Sequence, residues 1–218
     1  MKSGFKRLAG AFGAALLLSG ALTACVPLVV GGAVAGGSLL AIDRRTSGAQ
    51  LEDEGIELRA ASRIRGTFGD RVHVNLTSYN RQVLVTGEVP SAQEKQQVEQ
   101  VVAGVENVVS VVNELAVMGQ TSISQRTNDT FLTGRVKAML LDARDLQSNA
   151  FKVVTERGSV YLMGRVTQRE ADRATQVVRS TPGVQKVIRV FDVISERELA
   201  RLAPPAKPPP APVKPADN

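Results

Sequence analysis

The amino-acid sequence predicts an α+β protein made of two tandem copies of one α-β-β-α-β unit. Each unit is a small mixed three-stranded sheet covered by two helices. Three observations carry this expectation. Residues 74–89 align without a gap on residues 151–166, so that Val83, Gly87 and Val89 fall on Val160, Gly164 and Val166. In both copies the apolar spacing changes in the same order between a helical period and strict alternation. The composition, 43% hydrophobic with only 4% aromatic residues and no tryptophan, supplies a core of Val, Leu, Ile and Ala and excludes wholesale disorder.

The first helix of each copy is read from Ile56, Ala60 and Ile64, and from Leu132, Val136, Met139 and Leu140. Two alternating runs joined by a polar turn follow: Val72, Val74 and Leu76 with Val83 and Val85, then Phe151 and Val153 with Val160 and Leu162. These are hairpins. A capping box opens each second helix, from Ser91 to Glu94 and from Thr167 to Glu170, and Gly104 and Gly183 are expected to end them. A third strand closes each unit at 108–115 and 187–193. Gly87 and Gly164 fall in phase with inward-facing residues. A glycine inside a strand costs stability, so its recurrence predicts a structural role in which a helix backbone packs closely over it.

The chain is divided into six segments. Residues 1–24 read as a signal peptide, with Lys2, Lys6 and Arg7 ahead of a short apolar stretch. Leu22-Thr23-Ala24-Cys25 resembles the lipobox of bacterial lipoproteins, and Cys25 is the single cysteine. The resemblance implies cleavage before Cys25 and acylation of its thiol and amine with palmitate-class chains, which hold a protein firmly on a bilayer. Val26, where an aspartate would favour the inner membrane, implies the outer membrane with the body facing the periplasm. Residues 25–50 are expected to be a tether. Gly32 and Gly36 leave two readings of it, a flexible membrane-hugging linker or a helix packing through small residues. Residues 51–117 are the first unit, 118–126 a linker, and 127–194 the second unit. Seven of the ten prolines crowd the end of the 195–218 tail, which is expected to be extended and solvated.

Charge separates the two units. Residues 51–117 carry ten acids against six bases, and residues 127–194 seven acids against eleven bases, so the overall +6 averages −4 and +4 domains with a basic signal. The second unit therefore suits an anionic surface, near which each Lys or Arg contributes roughly 1 kcal/mol. On its first helix, Phe131, Gly134, Ala138 and Leu141 make an apolar stripe away from the core face, bordered by Arg135 on one side and by Lys137 and Arg144 on the other. This is the composition of an interfacial helix. The alternative is a stripe buried against the other unit. In the first unit the matching positions are Gly55, Leu58, Ser62 and Arg65, so the pattern is not a requirement of the fold.

One histidine and one cysteine exclude a zinc ligand set and an internal disulfide, and leave histidine-based catalysis to His73 alone. His73 alternates away from Val72 and Val74, which places it toward solvent or between the units. Glu52-Asp53-Glu54 reads as a charge cluster at a helix N-terminus rather than a metal site. With no phosphate-cradling loop and no nucleophile elbow, the expectation is a protein that is not an enzyme and takes no cofactor or metal. Nucleic acid is excluded as a partner by the missing aromatic interleaving.

The repeated α-β-β-α-β order, the strand glycine and the Val-x-Gly-Val approach to the last strand resemble the BON domain. Two such units behind a lipobox are similar to the dual-BON outer-membrane lipoproteins of Gram-negative bacteria. That resemblance covers about residues 20–194. It implies that the second unit binds anionic phospholipid (phosphatidylglycerol or cardiolipin) through its first helix, with Phe131 as aromatic anchor, and supports envelope integrity at division sites. The alternative is an adaptor in which the same stripe docks an envelope protein for outer-membrane assembly or cell-wall remodelling.

Overall fold

A computed structural model describes residues 43–202. The expectations for the signal peptide, Cys25, the body of the tether and the Pro-rich residues from 203 onward lie outside the described residues. The first unit runs α1 (Ser47–Phe68), β1 (His73–Tyr79), β2 (Gln82–Val89), α2 (Ala92–Ala103), β3 (Ser110–Asn113) and β4 (Ala116–Val117). The second runs α3 (Ile123–Asp142), β5 (Lys152–Glu156), β6 (Ser159–Thr167), α4 (Gln168–Arg179) and β7 (Lys186–Ile194), followed by α5 (Glu196–Leu202). In each sheet the middle strand pairs antiparallel with its hairpin partner and parallel with the strand that returns after the helix. The architecture is thus the α+β fold in duplicate, each sheet mixed and each covered by two helices.

Alternation along the middle strands decides where the cores form. Val83 and Val85 point to α1 and α2, joining Ile56, Ala60, Ile64, Val98 and Val102. Val160 and Leu162 do the same among Leu132, Val136, Leu140, Ala174 and Val178. The residues between them, Leu84 in β2 and Tyr161 and Met163 in β6, face the other way and meet in a third cluster with Tyr79 and Val190. The two sheets therefore pack on each other through their helix-free faces, and the stripe on α3 takes no part in joining the units.

Both hairpins turn on two residues of positive φ: Asn80 and Arg81 (50° and 67°), and Arg157 and Gly158 (49° and 72°). That is the turn whose twist suits a two-residue hairpin, yet arginine adopts it only at a cost. A helix carboxylate offsets the cost identically in each copy. Asp53 accepts the N–H of Asn80 (2.7 Å) and of Arg81 (2.8 Å). Asp129 accepts those of Arg157 (2.7 Å) and Gly158 (2.8 Å). Asp53 is therefore not part of an N-terminal charge cluster: α1 begins at Ser47 on a Thr46 cap, which puts Asp53 in the helix interior and on its buried face.

Several expected boundaries shift for identifiable reasons. The helix α3 starts inside the predicted linker because Ser122 caps it, accepting the Gln125 N–H. Residues 43–50 of the predicted tether are ordered parts of the body, and Glu196–Leu202 of the predicted tail form a helix. The first unit's third strand is broken because the Asn113 side chain takes the Leu115 N–H, turning Leu115 into the core. The helix α4 ends at Ser180, with Gly183 (φ 97°) making the turn beyond Pro182. The strand glycines sit under backbone other than the covering α-helices: β1 in the first unit, and in the second the short 3-10 turn of Ser148–Ala150. A Cβ at Gly87 would stand 2.0 Å from the His73 carbonyl oxygen, and one at Gly164 2.3 Å from that of Ala150.

Candidate functional site

The helix α3 presents two faces. Asp129, Leu132, Val136 and Leu140 are buried and fix its rotation about its axis. Asp129 ties it to the β5–β6 turn, and the Thr133 hydroxyl donates to Thr155 Oγ1 at 2.8 Å, which pins it to β5. With that face held, Phe131, Gly134, Arg135, Lys137, Ala138, Leu141 and Arg144 all stand on the solvent side. Phe131 and Leu141 are each 70% exposed, far beyond what a packed aromatic or leucine shows. No atom lies within 4 Å of where a Cβ on Gly134 would stand, so packing does not require glycine there. Arg135 is oriented by donating to the Pro182 carbonyl oxygen at 2.6 Å, and Lys137 is exposed across the stripe from it, whereas Arg144, expected as a second flank there, lies past the Ala143 cap that ends the helix.

A further exposed aliphatic residue stands at the start of α3, separated from the stripe by Thr127 and Thr130. Ile123, 82% exposed, opens α3 on the same side as Leu141, eighteen residues on and about 27 Å away at 1.5 Å per residue. It lies in the segment 118–126 expected as a linker, although Ser122 before it is a standard capping residue. At the other end, Leu141 and Lys137 share a hollow with Asp43, Ser148 and Asn149. In the first unit Leu51 and Leu58 are exposed on α1, but with Glu54 beside them and no aromatic.

The only histidine and the most buried acid meet at the seam between the units. His73 and Glu88 are cross-strand partners, and His73 Nδ1 lies 2.8 Å from Glu88 Oε2. Glu88 is fully buried, and its other oxygen accepts from Arg157 Nη1 (2.7 Å) and from the Thr121 hydroxyl. Burial works to raise the Glu88 carboxyl, but the Thr121 hydroxyl, His73 and Arg157 outweigh it and hold the group below its ordinary range. Neighbouring Glu156 is pushed up, first by burial and then by the Glu88 charge, against the pull of Arg157. The arrangement is an ion-paired joint in which both Glu88 carboxylate oxygens are engaged. Among the described residues no group of three or more His, Cys, Asp or Glu is placed to hold a metal ion.

A second joint lies at the start of the described residues. Arg44 is buried against the second unit: its guanidinium makes two bonds to Glu170 (2.7 and 2.8 Å), one to the Arg165 carbonyl oxygen (3.0 Å) and one to Gln147 Oε1 (3.3 Å). Arg45 turns to the first unit, pairing with Asp53 at 2.7 Å and lying over the Tyr79 ring at 4.3 Å. Neither contact had a signal in the sequence, because the partners stand far along the chain.

Fold and surface together define a tandem-domain protein whose charged interior is structural and whose apolar, cation-flanked face on α3 is open. The BON domain is matched at residues 53–119 and again at 128–195, and the chain belongs to the BON-domain family. It is 37% identical over 192 residues to Outer membrane lipoprotein DolP of Haemophilus influenzae, covering 87% of this chain and 96% of that protein. The 21 kDa hemolysin of Actinobacillus pleuropneumoniae is 30% identical over 155 residues, covering 70% and 80%. Osmotically-inducible protein Y of Escherichia coli is 32% identical over 117 residues, covering 52% and 58%. Among the described residues no helix is long and apolar enough to cross a membrane.

Proposed function

We propose that the protein is a non-enzymatic lipoprotein of the outer membrane, acylated at Cys25 and facing the periplasm. Its second BON domain engages anionic phospholipid, phosphatidylglycerol or cardiolipin, through α3, and so supports outer-membrane integrity at sites of division. The observation that carries this reading is the exposed stripe of Phe131, Gly134, Ala138 and Leu141, with Ile123 a further exposed residue at the helix start, Arg135 and Lys137 at the borders and Arg144 just past the helix end. What sets this stripe apart from the exposed leucines of α1 is its aromatic, Phe131, 70% exposed on the same side as Leu141 and bordered by cations. At a bilayer the same line buries its apolar side at the acyl boundary and places three cations at phosphate level. Those cations are worth together about 3 kcal/mol on an anionic leaflet, or roughly a hundredfold in binding. The relationship to an outer membrane lipoprotein supports the location.

Flotation of the mature chain carrying Cys25→Ser tests the reading without the anchor. Binding to phosphatidylglycerol vesicles and not to phosphatidylcholine is expected, with loss of binding on Phe131→Glu and no fall in melting temperature. Equal binding to both lipids, or binding indifferent to Phe131→Glu, would overturn it. Photocrosslinking from position 131 separates the adaptor reading, since an envelope protein on the stripe yields protein adducts in place of lipid adducts.

A further inference from the structure

We propose that Arg44 and Arg45 are positioning residues for membrane attachment. They strap the segment that follows the anchor across both BON domains, so that the chain coming from Cys25 joins the body beside the C-terminal end of the α3 stripe. This rests on the reading of α3 as the lipid-facing helix.

Three observations converge. The first is direction: consecutive residues reach opposite units, Arg44 to Glu170, Arg165 and Gln147 in the second and Arg45 to Asp53 and Tyr79 in the first. The second is burial. The side chains of Arg44 and Glu170 are only 3% and 4% exposed, and a buried ion pair persists only when its geometry is complete. Here both Nη atoms of Arg44 are doubly engaged. A segment serving only as a solvated spacer has no need of such a site. The third is place. Asp43, held by Arg45 through Nη2–Oδ2 at 2.6 Å, lines one hollow with Lys137 and Leu141 of α3. Arg44 and Arg45 also precede the first matched BON stretch, so the strap belongs to this chain's joining of anchor to body and not to either domain alone.

The physical consequence is geometric. When two weak attachments act on one bilayer, the second becomes intramolecular, and its strength depends on whether both can be satisfied at once. Fixing the entry of the chain next to Leu141 removes orientations in which the stripe faces away from the leaflet holding the acyl chains. Freeing residues 43–46 lets that entry point shift by up to about 14 Å, close to the distance from Phe131 to Leu141 along the helix.

The test uses the mature acylated chain with Leu141→Cys. Cys25 is the single natural cysteine and is consumed by the acyl groups, so the new thiol is unique. A fluorophore at 141, in phosphatidylglycerol/phosphatidylcholine vesicles carrying a bilayer-borne quencher, reports stripe insertion. Strong quenching is expected with the strap intact, at least a twofold loss with Arg44→Gln/Arg45→Gln, and partial recovery with Arg44→Lys. If the double variant does not fold, Arg44→Gln/Glu170→Gln removes the ion pair without leaving an unpaired buried carboxylate and is read the same way. Flotation of the unacylated Cys25→Ser chain should not respond to the strap variants. Quenching that survives strap removal overturns the proposal, as does a parallel fall in flotation of the unacylated chain, which would mark a purely structural role. An unquenched label with the strap intact overturns the lipid reading instead.

Discussion

Arg44 and Glu170 stand 126 residues apart in the chain and meet as a bidentate ion pair, 2.7 and 2.8 Å long, with both side chains almost wholly out of solvent. Glu170 also closes the capping box of α4, accepting the Thr167 N–H at 3.0 Å. Removing the arginine leaves a carboxylate buried with half its partners. Arg44→Ala should therefore destabilise by about 3–5 kcal/mol, whereas Arg44→Met/Glu170→Met should cost much less than the single change. Urea unfolding of the two variants checks the ordering.

The seam acids predict opposite responses to acid. The Glu88 carboxyl is held below its ordinary value near 4.5, so the stability it contributes is present above that value and is lost as pH falls through the lowered one. Glu156 is raised, so its ionised form opposes folding at neutral pH and protonation relieves this as pH falls through the raised value. Glu88→Gln should lower stability at pH 7 and flatten the decline below pH 4.5. Glu156→Gln should raise stability at pH 7 and leave it unchanged in acid. Denaturant titrations across pH 3–7 distinguish the two profiles.

The paired turn carboxylates give a matched comparison. Asp129→Asn replaces an oxygen with an N–H₂ facing a backbone donor, leaving one turn amide unsatisfied at a cost of about 1–3 kcal/mol. Asp53→Asn should cost more, because Asp53 also accepts from the Ser78 hydroxyl at 2.6 Å and pairs with Arg45. Hydrogen exchange should quicken first at Asn80 and Arg81 in one variant and at Arg157 and Gly158 in the other.

Three glycine-to-alanine substitutions should rank in a fixed order. Gly87 combines φ 117° with a carbonyl oxygen 2.0 Å from the new Cβ, and its replacement should cost about 2–5 kcal/mol. Gly164 meets a carbonyl oxygen at 2.3 Å, and overpacking alone should cost about 1–3 kcal/mol. Gly134 meets nothing, so alanine there should stabilise α3 by up to about 1 kcal/mol. Melting temperatures of the three variants test the series.

The parts legible in the sequence are those written locally and written twice. The repeat places the strands, and the valine alternation of β2 and β6 assigns each residue to a helix-facing core or to the inter-sheet cluster. The cap at Ser122 has an equally local signal, a serine directly before the helix that Ile123 opens. Asp53 and Asp129 carried a signal too: each stands three residues before a core residue of its helix, Ile56 or Leu132, on a face otherwise apolar. Recurrence of an acid on a buried face marks a carboxylate with fixed partners. The strand glycines pointed to a close approach but not to its source: the expected covering helix is replaced by the carbonyls of His73 and Ala150. The contacts of Arg44, Arg45 and Arg157 had no local trace, because their partners become neighbours only when the two sheets meet.

That meeting decides how the protein can be taken apart. Tyr79 and Leu84 are covered by Tyr161, Met163 and Val190, so cutting the chain between the BON domains lays a sheet of apolar side chains open to water on each fragment. Neither half is then an independent soluble product. Each would be driven to aggregate or to recapture the other, so duplication here has made a single expression unit from what began as a repeated motif.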